Sequence, residues 1–141
     1  MTTIVYHLAD NELAADSRCT AGTLIVDDKV NKFAKCNGYT FVCCGTVSDI
    51  GELISAYPYG FTEPVNLNAQ AFVVDDGEVF LVSVQDGEYS RTKITSNFAI
   101  GSGGDFALAN MDHGGSARTA IMYAKTRDCA TGGRIRVVKV K

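Results

Sequence analysis

The chain has 141 residues, 46% of them hydrophobic and 21% charged, enough for one globular domain with a core and too apolar for disorder. Thirteen Lys and Arg against sixteen Asp and Glu give a formal net charge of -3, and no basic run stands out, so nothing in the charge points to nucleic acid. No apolar stretch reaches membrane-spanning length, and the N-terminus lacks the basic region and apolar core of a signal peptide, so a cytoplasmic protein with no membrane partner is expected.

"TIVYHLA" and "LAADS" flank Asp10-Asn11-Glu12 and read as a hairpin that starts at the second threonine. "TLIV" reads as a strand. "KFAKC" and "YTFVCCG" flank Asn37-Gly38, a strong hairpin signal because both residues accept positive φ. "TVSDIGELISAY" carries Ile50, Leu53 and Ile54 at helical spacing, with Thr46 or Ser48 as cap and Pro58 as stop. "AFVVD", "EVFLVSV" and "EYSRTKI" follow, separated by Asp76-Gly77 and Asp86-Gly87. "GDFALANMDHGGSARTAIMYAKTRD" reads as two helices split at Gly114-Gly115, with Ser116 capping the second. "RIRVVKV" closes the chain as a strand. That makes about nine strands in two blocks and helices in two blocks, a single α+β layered domain over residues 1–141.

The side chains that could carry chemistry are few. Cys19, Cys36, Cys43, Cys44 and Cys129 are odd in number, irregularly spaced and without a C-x-x-C, so neither a disulfide framework nor a zinc site is expected. His7 and His113 are far apart, which argues against a histidine-based triad. "GSGG" lacks the following pattern of a phosphate loop. No metal or cofactor is called for. Removal of Met1 would leave Thr2 at the N-terminus. Such a residue holds a nucleophilic hydroxyl and, in its α-amine with a pKa of roughly 7.7–8.0, a base. Placing it at the start of a strand would hold it rigidly.

"TTIV", "LAADSR", "DDKVNKF", "CCGTVSD", "AIGSGGDFALANMD" and "RDCATGG", in this order and at this spacing, resemble the proteasome β-subunit and HslV-type peptidase family of N-terminal-nucleophile hydrolases. The resemblance runs from Thr2 to about residue 55, and again from about residue 70 to the C-terminus. It implies a four-layer αββα sandwich of two antiparallel sheets flanked by helices. It implies a threonine endopeptidase with Thr2 as nucleophile. By the same resemblance Asp16 holds Lys32, and Lys32 supports Thr2. The backbone N–H of Gly45 stabilises the oxyanion, Ser102 sits beside the α-amine, and Asp128 and Thr131 orient that amine. Cys19, Thr20, Val30, Cys43 and Val47 match the substrate-binding positions. The implied partners are further copies in a homo-oligomeric ring, a polypeptide substrate and an ATP-dependent unfoldase.

The sequence also departs from the family. The stretch from Tyr57 to Gln70 replaces a longer one, so the second long helix is largely missing. Thr46 stands where a second glycine is usual, and Thr131 replaces a serine. Two other readings stay open on the same residues: an N-terminal-nucleophile amidase for small molecules, and an inactive structural or assembly subunit.

Overall fold

The computed structural model describes residues 2–60, 66–85 and 87–141. It is an α+β fold of antiparallel sheets and helices, and its residues form two compact units, one of residues up to Lys32 together with Thr95–Lys141, the other of Phe33–Ile94. Met1, residues 61–65 of the shortened stretch and Asp86 of the third expected turn lie outside the described residues.

The first unit is built on a four-stranded sheet. β1 (Thr3–His7) and β2 (Glu12–Ala15) form the opening hairpin, and Asn11 takes the positive φ of 52° that its turn requires. β10 (Phe98–Gly101) pairs with the free side of β1 and β11 (Arg136–Lys139) with that of β2, giving the order β10-β1-β2-β11. Val5 and Ala14 are opposed across β1 and β2. They pack with Ala107 and Met111 of α2 (Gly104–Asp112) and with Ala117, Ala120, Ile121 and Ala124 of α3 (Ala117–Arg127). The small residues of α3 let it lie close to the strands. Ile4, Tyr6, Leu13 and Ala15, on the other face, are buried as well. Burial on both faces is why the opening strand reads as a continuous apolar run and does not alternate. Ser116 caps α3 reciprocally, its hydroxyl accepting from Thr119 N while Thr119 Oγ1 accepts from Ser116 N. The two-stranded ribbon of β3 (Cys19–Ala21) and β4 (Leu24–Asp27) belongs to this unit.

The second unit is a five-stranded meander, in the order β5 (Phe33–Cys36), β6 (Tyr39–Gly45), β7 (Ala69–Asp75), β8 (Glu78–Gln85) and β9 (Glu88–Lys93). Asn37-Gly38 and Asp76-Gly77 take positive φ at both positions, as their sequences require. α1 (Val47–Ala56) leaves β6 and lays Ile50, Leu53, Ile54 and Tyr57 on Phe41, Cys43, Ala71, Val73, Val82 and Val84. Thr46 is its N-cap, but its hydroxyl makes no cap bond and accepts instead from Asn68 Nδ2 at 3.1 Å. Among the described residues no second helix follows α1 before β7.

Two strands were not legible. β3 is three residues long, and β10, four residues long, runs into the glycines of "GSGG". β10 becomes a strand by pairing with β1, far away in sequence.

Candidate active site

The turn of the first hairpin places Asp16, just past β2, opposite Thr3. Asp16 N donates to Thr3 O at 3.2 Å, and Thr3 N donates to Asp16 Oδ1 at 3.1 Å. Asp16 is fully buried. A carboxylate with no access to water needs donors. Its Oδ2 accepts from Gly132 N at 3.0 Å and from Arg18 N at 3.3 Å. Its Oδ1 accepts from Lys32 Nζ at 2.6 Å, in an ion pair whose side chains are 0% and 6% exposed.

Lys32 ends the segment after β4. That segment is tied back by Val30 N donating to Ser17 O at 3.0 Å and by Arg136 Nη1 donating to Val30 O at 3.0 Å. So held, Lys32 Nζ lies 2.7 Å from Thr2 Oγ1, and Thr2 is itself buried. An ammonium has donors and no lone pair. Lys32 therefore gives one hydrogen to Asp16 and another to Thr2 Oγ1. In this state it can donate to that oxygen but cannot take its proton.

A second cluster lies at the end of α3. Asp128 is the C-cap of that helix. Its Oδ2 accepts from Ser102 Oγ at 2.5 Å and from Thr131 Oγ1 at 2.6 Å, and its Oδ1 accepts from Ala130 N at 3.2 Å. Thr131 and Thr3 bring their hydroxyl oxygens to 2.6 Å, and both residues are buried. Glycines make room for these contacts. A Cβ on Gly101 would lie 1.7 Å from Thr2 O, and one on Gly103 would lie 2.1 Å from Thr3 Oγ1 and 2.8 Å from Thr131 Oγ1.

Burial by itself would raise the Asp128 pKa, but the hydrogen bonds from Ser102, Thr131 and Ala130 N outweigh it and hold the carboxyl below its ordinary value. A carboxyl lowered by folding stabilises the fold above its ordinary pKa of about 4, and that contribution is lost as pH falls through the lower folded value. Urea unfolding of the parent protein should therefore lose stability below about pH 4 more steeply than that of Asp128→Asn. Equal slopes would show that the hydroxyls do not act on a charged Asp128.

The structure thus brings together Thr2, Asp16 and Lys32, and separately Ser102, Asp128 and Thr131, within one unit. Cys19, Thr20 and Val30 are half-buried residues of the same unit. Gly45, Cys43 and Val47 belong to the other unit. Gly45 ends β6 with φ +126°, where a Cβ would meet Asn68 O at 2.0 Å. Cys43 is a core residue there, and burial, with a smaller effect of Cys44, pushes its thiol up to about 12. Val47 is exposed at the start of α1.

Three features of the site were missed in the sequence. One is the Thr3 hydroxyl, for which the threonine doublet is the only local sign. Another is Arg18, whose Nε and Nη2 grip Asp28 at 2.8 and 3.1 Å while Nη1 donates to Cys129 O at 2.8 Å. The third is the need for Gly132, whose Cβ would lie 2.3 Å from the Arg18 guanidinium. Contacts this distant in sequence leave no periodic trace.

No protein-family model matches the sequence, and neither does any curated protein. Solved structures do match in fold. Eukaryotic HslV from Trypanosoma brucei aligns with a TM-score of 0.72 at 20% identity, over 97% of this chain and 98% of that one. BPH from Thiobacillus denitrificans aligns with a TM-score of 0.72 at 15% identity, over 100% of this chain and 99% of that one. BPH in complex with epoxomicin aligns with a TM-score of 0.68 at 14% identity, over 99% and 100%. No helix among the described residues is long and apolar enough to cross a membrane. The chain has the α+β fold of HslV and BPH.

Proposed function

We propose that this chain is a threonine-type peptidase whose nucleophile is Thr2 once Met1 has been removed. The observation that carries the reading is the Lys32 ammonium 2.7 Å from Thr2 Oγ1, itself held by a fully buried Asp16. Thr2 Oγ attacks the peptide carbonyl while the Thr2 α-amine takes the hydroxyl proton. The tetrahedral adduct collapses to an ester, the C–N bond breaks, and the proton passes to the leaving amine. Water, deprotonated by the same amine, then attacks the ester. Its proton returns to Thr2 Oγ as the acid product leaves. Lys32 stabilises the oxygen as it gains and loses charge, and Ser102, Asp128 and Thr131 orient the amine. On this reading the protein works as an enclosed homo-oligomer on unfolded polypeptide delivered by an ATP-dependent unfoldase, because an open peptidase site would act on its surroundings.

The candidate substrate side chains of this unit, Cys19, Thr20 and Val30, carry no charge. A charged residue before the cut would be desolvated without a counter-ion, at a cost of several kcal/mol. A fluorogenic peptide panel, run on protein whose N-terminal mass shows Thr2 exposed, should therefore show cleavage after Leu, Val and Ala. Peptides with Arg, Lys, Asp or Glu at that position should be slower by at least about tenfold, a difference worth ~1.4 kcal/mol. Protein with Thr2 exposed that cleaves no member of the panel, nor unfolded casein, would be an inactive subunit.

A further inference from the structure

We infer that the Thr3 hydroxyl is a positioning group for the candidate amine-orienting cluster, setting the direction of the hydrogen-bond chain Thr3 Oγ1–H to Thr131 Oγ1–H to Asp128 Oδ2. Each hydroxyl has one proton. The Asp128 carboxylate only accepts, so Thr131 spends its proton on Asp128 at 2.6 Å. The 2.6 Å contact between Thr131 and Thr3 is then closed by the Thr3 proton. Thr3 is fully buried and Thr131 nearly so, so no water competes for either hydroxyl.

The surroundings are shaped around this contact. Gly103 alone leaves room for it, because a side chain there would strike both hydroxyl oxygens. The backbone of Thr3 meanwhile donates to Asp16 Oδ1, the oxygen that holds Lys32. One residue therefore touches both clusters: its N–H supports the carboxylate behind the Thr2 hydroxyl, and its side chain supports the carboxylate assigned to the Thr2 amine. Donation from Thr3 polarises the Thr131 hydroxyl and strengthens its bond to Asp128. Of the two opening threonines, the first would attack and the second would align.

The kinetic part of this inference rests on the peptidase reading, and the structural part does not. The test therefore has two arms. In the first, Thr3→Val, which keeps the shape and removes the hydroxyl, should lower kcat about fivefold at unchanged KM, and Thr3→Ser should restore it to within about twofold. Thr3→Ala removes the same hydroxyl without placing a methyl group against Thr131 and serves if the valine protein does not fold. In the second, the slowly exchanging hydroxyl proton of Thr131 is followed by NMR. It should move upfield and exchange faster in Thr3→Val and Thr3→Ala, and keep its parental position in Thr3→Ser. A parental Thr131 signal in the hydroxyl-less proteins overturns the inference, whatever the activity. So does an active enzyme whose kcat ignores the Thr3 hydroxyl, or a loss that serine does not restore. A parent that hydrolyses nothing but shows the NMR response refutes the peptidase reading and leaves the hydroxyl chain standing.

Discussion

Thr2→Ala is expected to lower peptide hydrolysis by at least about 10³-fold while leaving the protein folded. The substitution removes the Thr2 hydroxyl oxygen, 2.7 Å from the Lys32 ammonium that also holds Asp16. It leaves untouched the backbone of β1, its pairing with β2 and β10, and the buried Asp16–Lys32 ion pair. Melting should move by only a few degrees, since Lys32 keeps its stronger partner. Steady-state cleavage of a Leu-containing fluorogenic peptide and a thermal melt, measured on one preparation, decide the matter. Parental hydrolysis by the alanine protein would place the nucleophile elsewhere.

Removing Lys32 should harm both stability and chemistry, and the two effects can be separated. Lys32→Ala leaves Asp16 at 0% exposure with its charge uncompensated. Breaking one side of a buried pair costs roughly 3–5 kcal/mol, which for a chain of this size is on the order of a 10 °C loss in melting temperature. Backbone N–H groups of Thr3, Arg18 and Gly132 remain to soften the loss, so the lower end of that range is expected. On the peptidase reading, hydrolysis should fall by at least about 10²-fold, because the ammonium 2.7 Å from Thr2 Oγ1 is gone. Adding Asp16→Ala removes the stranded carboxylate, so the double variant should recover part of the melting temperature and none of the activity. A double variant as destabilised as the sum of the single ones would mean that the two side chains do not act as a pair.

The sequence by itself determined the parts of this protein that depend on near neighbours. Asn37-Gly38 and Asp76-Gly77 specify hairpins because few other pairs accept two successive positive φ values, and both turns form as read. Ser116 ends a two-glycine break and starts a helix, because its side chain caps the backbone within its own turn. The apolar run of "TIVY" marks a strand, and β1 forms there. Thr2, Asp16, Lys32, Ser102, Asp128 and Thr131 were legible as candidates because each stands in a short motif in the order of a known family. The contacts among them were not, since no local pattern carries the distance from Lys32 to Thr2.

Tertiary structure alone decided the rest. β10 is a strand because β1 offers it an unpaired edge, and "FAIG" shows no strand signal strong enough to outweigh the glycines that follow. Thr46 reads as a helix cap, yet its hydroxyl serves Asn68 across the mouth of β7, a partner that exists only once the strand is in place. Thr3 reads as one more β-branched residue in a strand. It gains a role only when residues 103 and 131 are brought to its hydroxyl, and Gly103 becomes necessary for the same reason. Arg18 acquires its place only when Asp28 and the carbonyl of Cys129 meet it. Propensity and turn chemistry act over a few residues. Hydrogen bonds between buried side chains act over a few ångströms, and those ångströms are set by the fold.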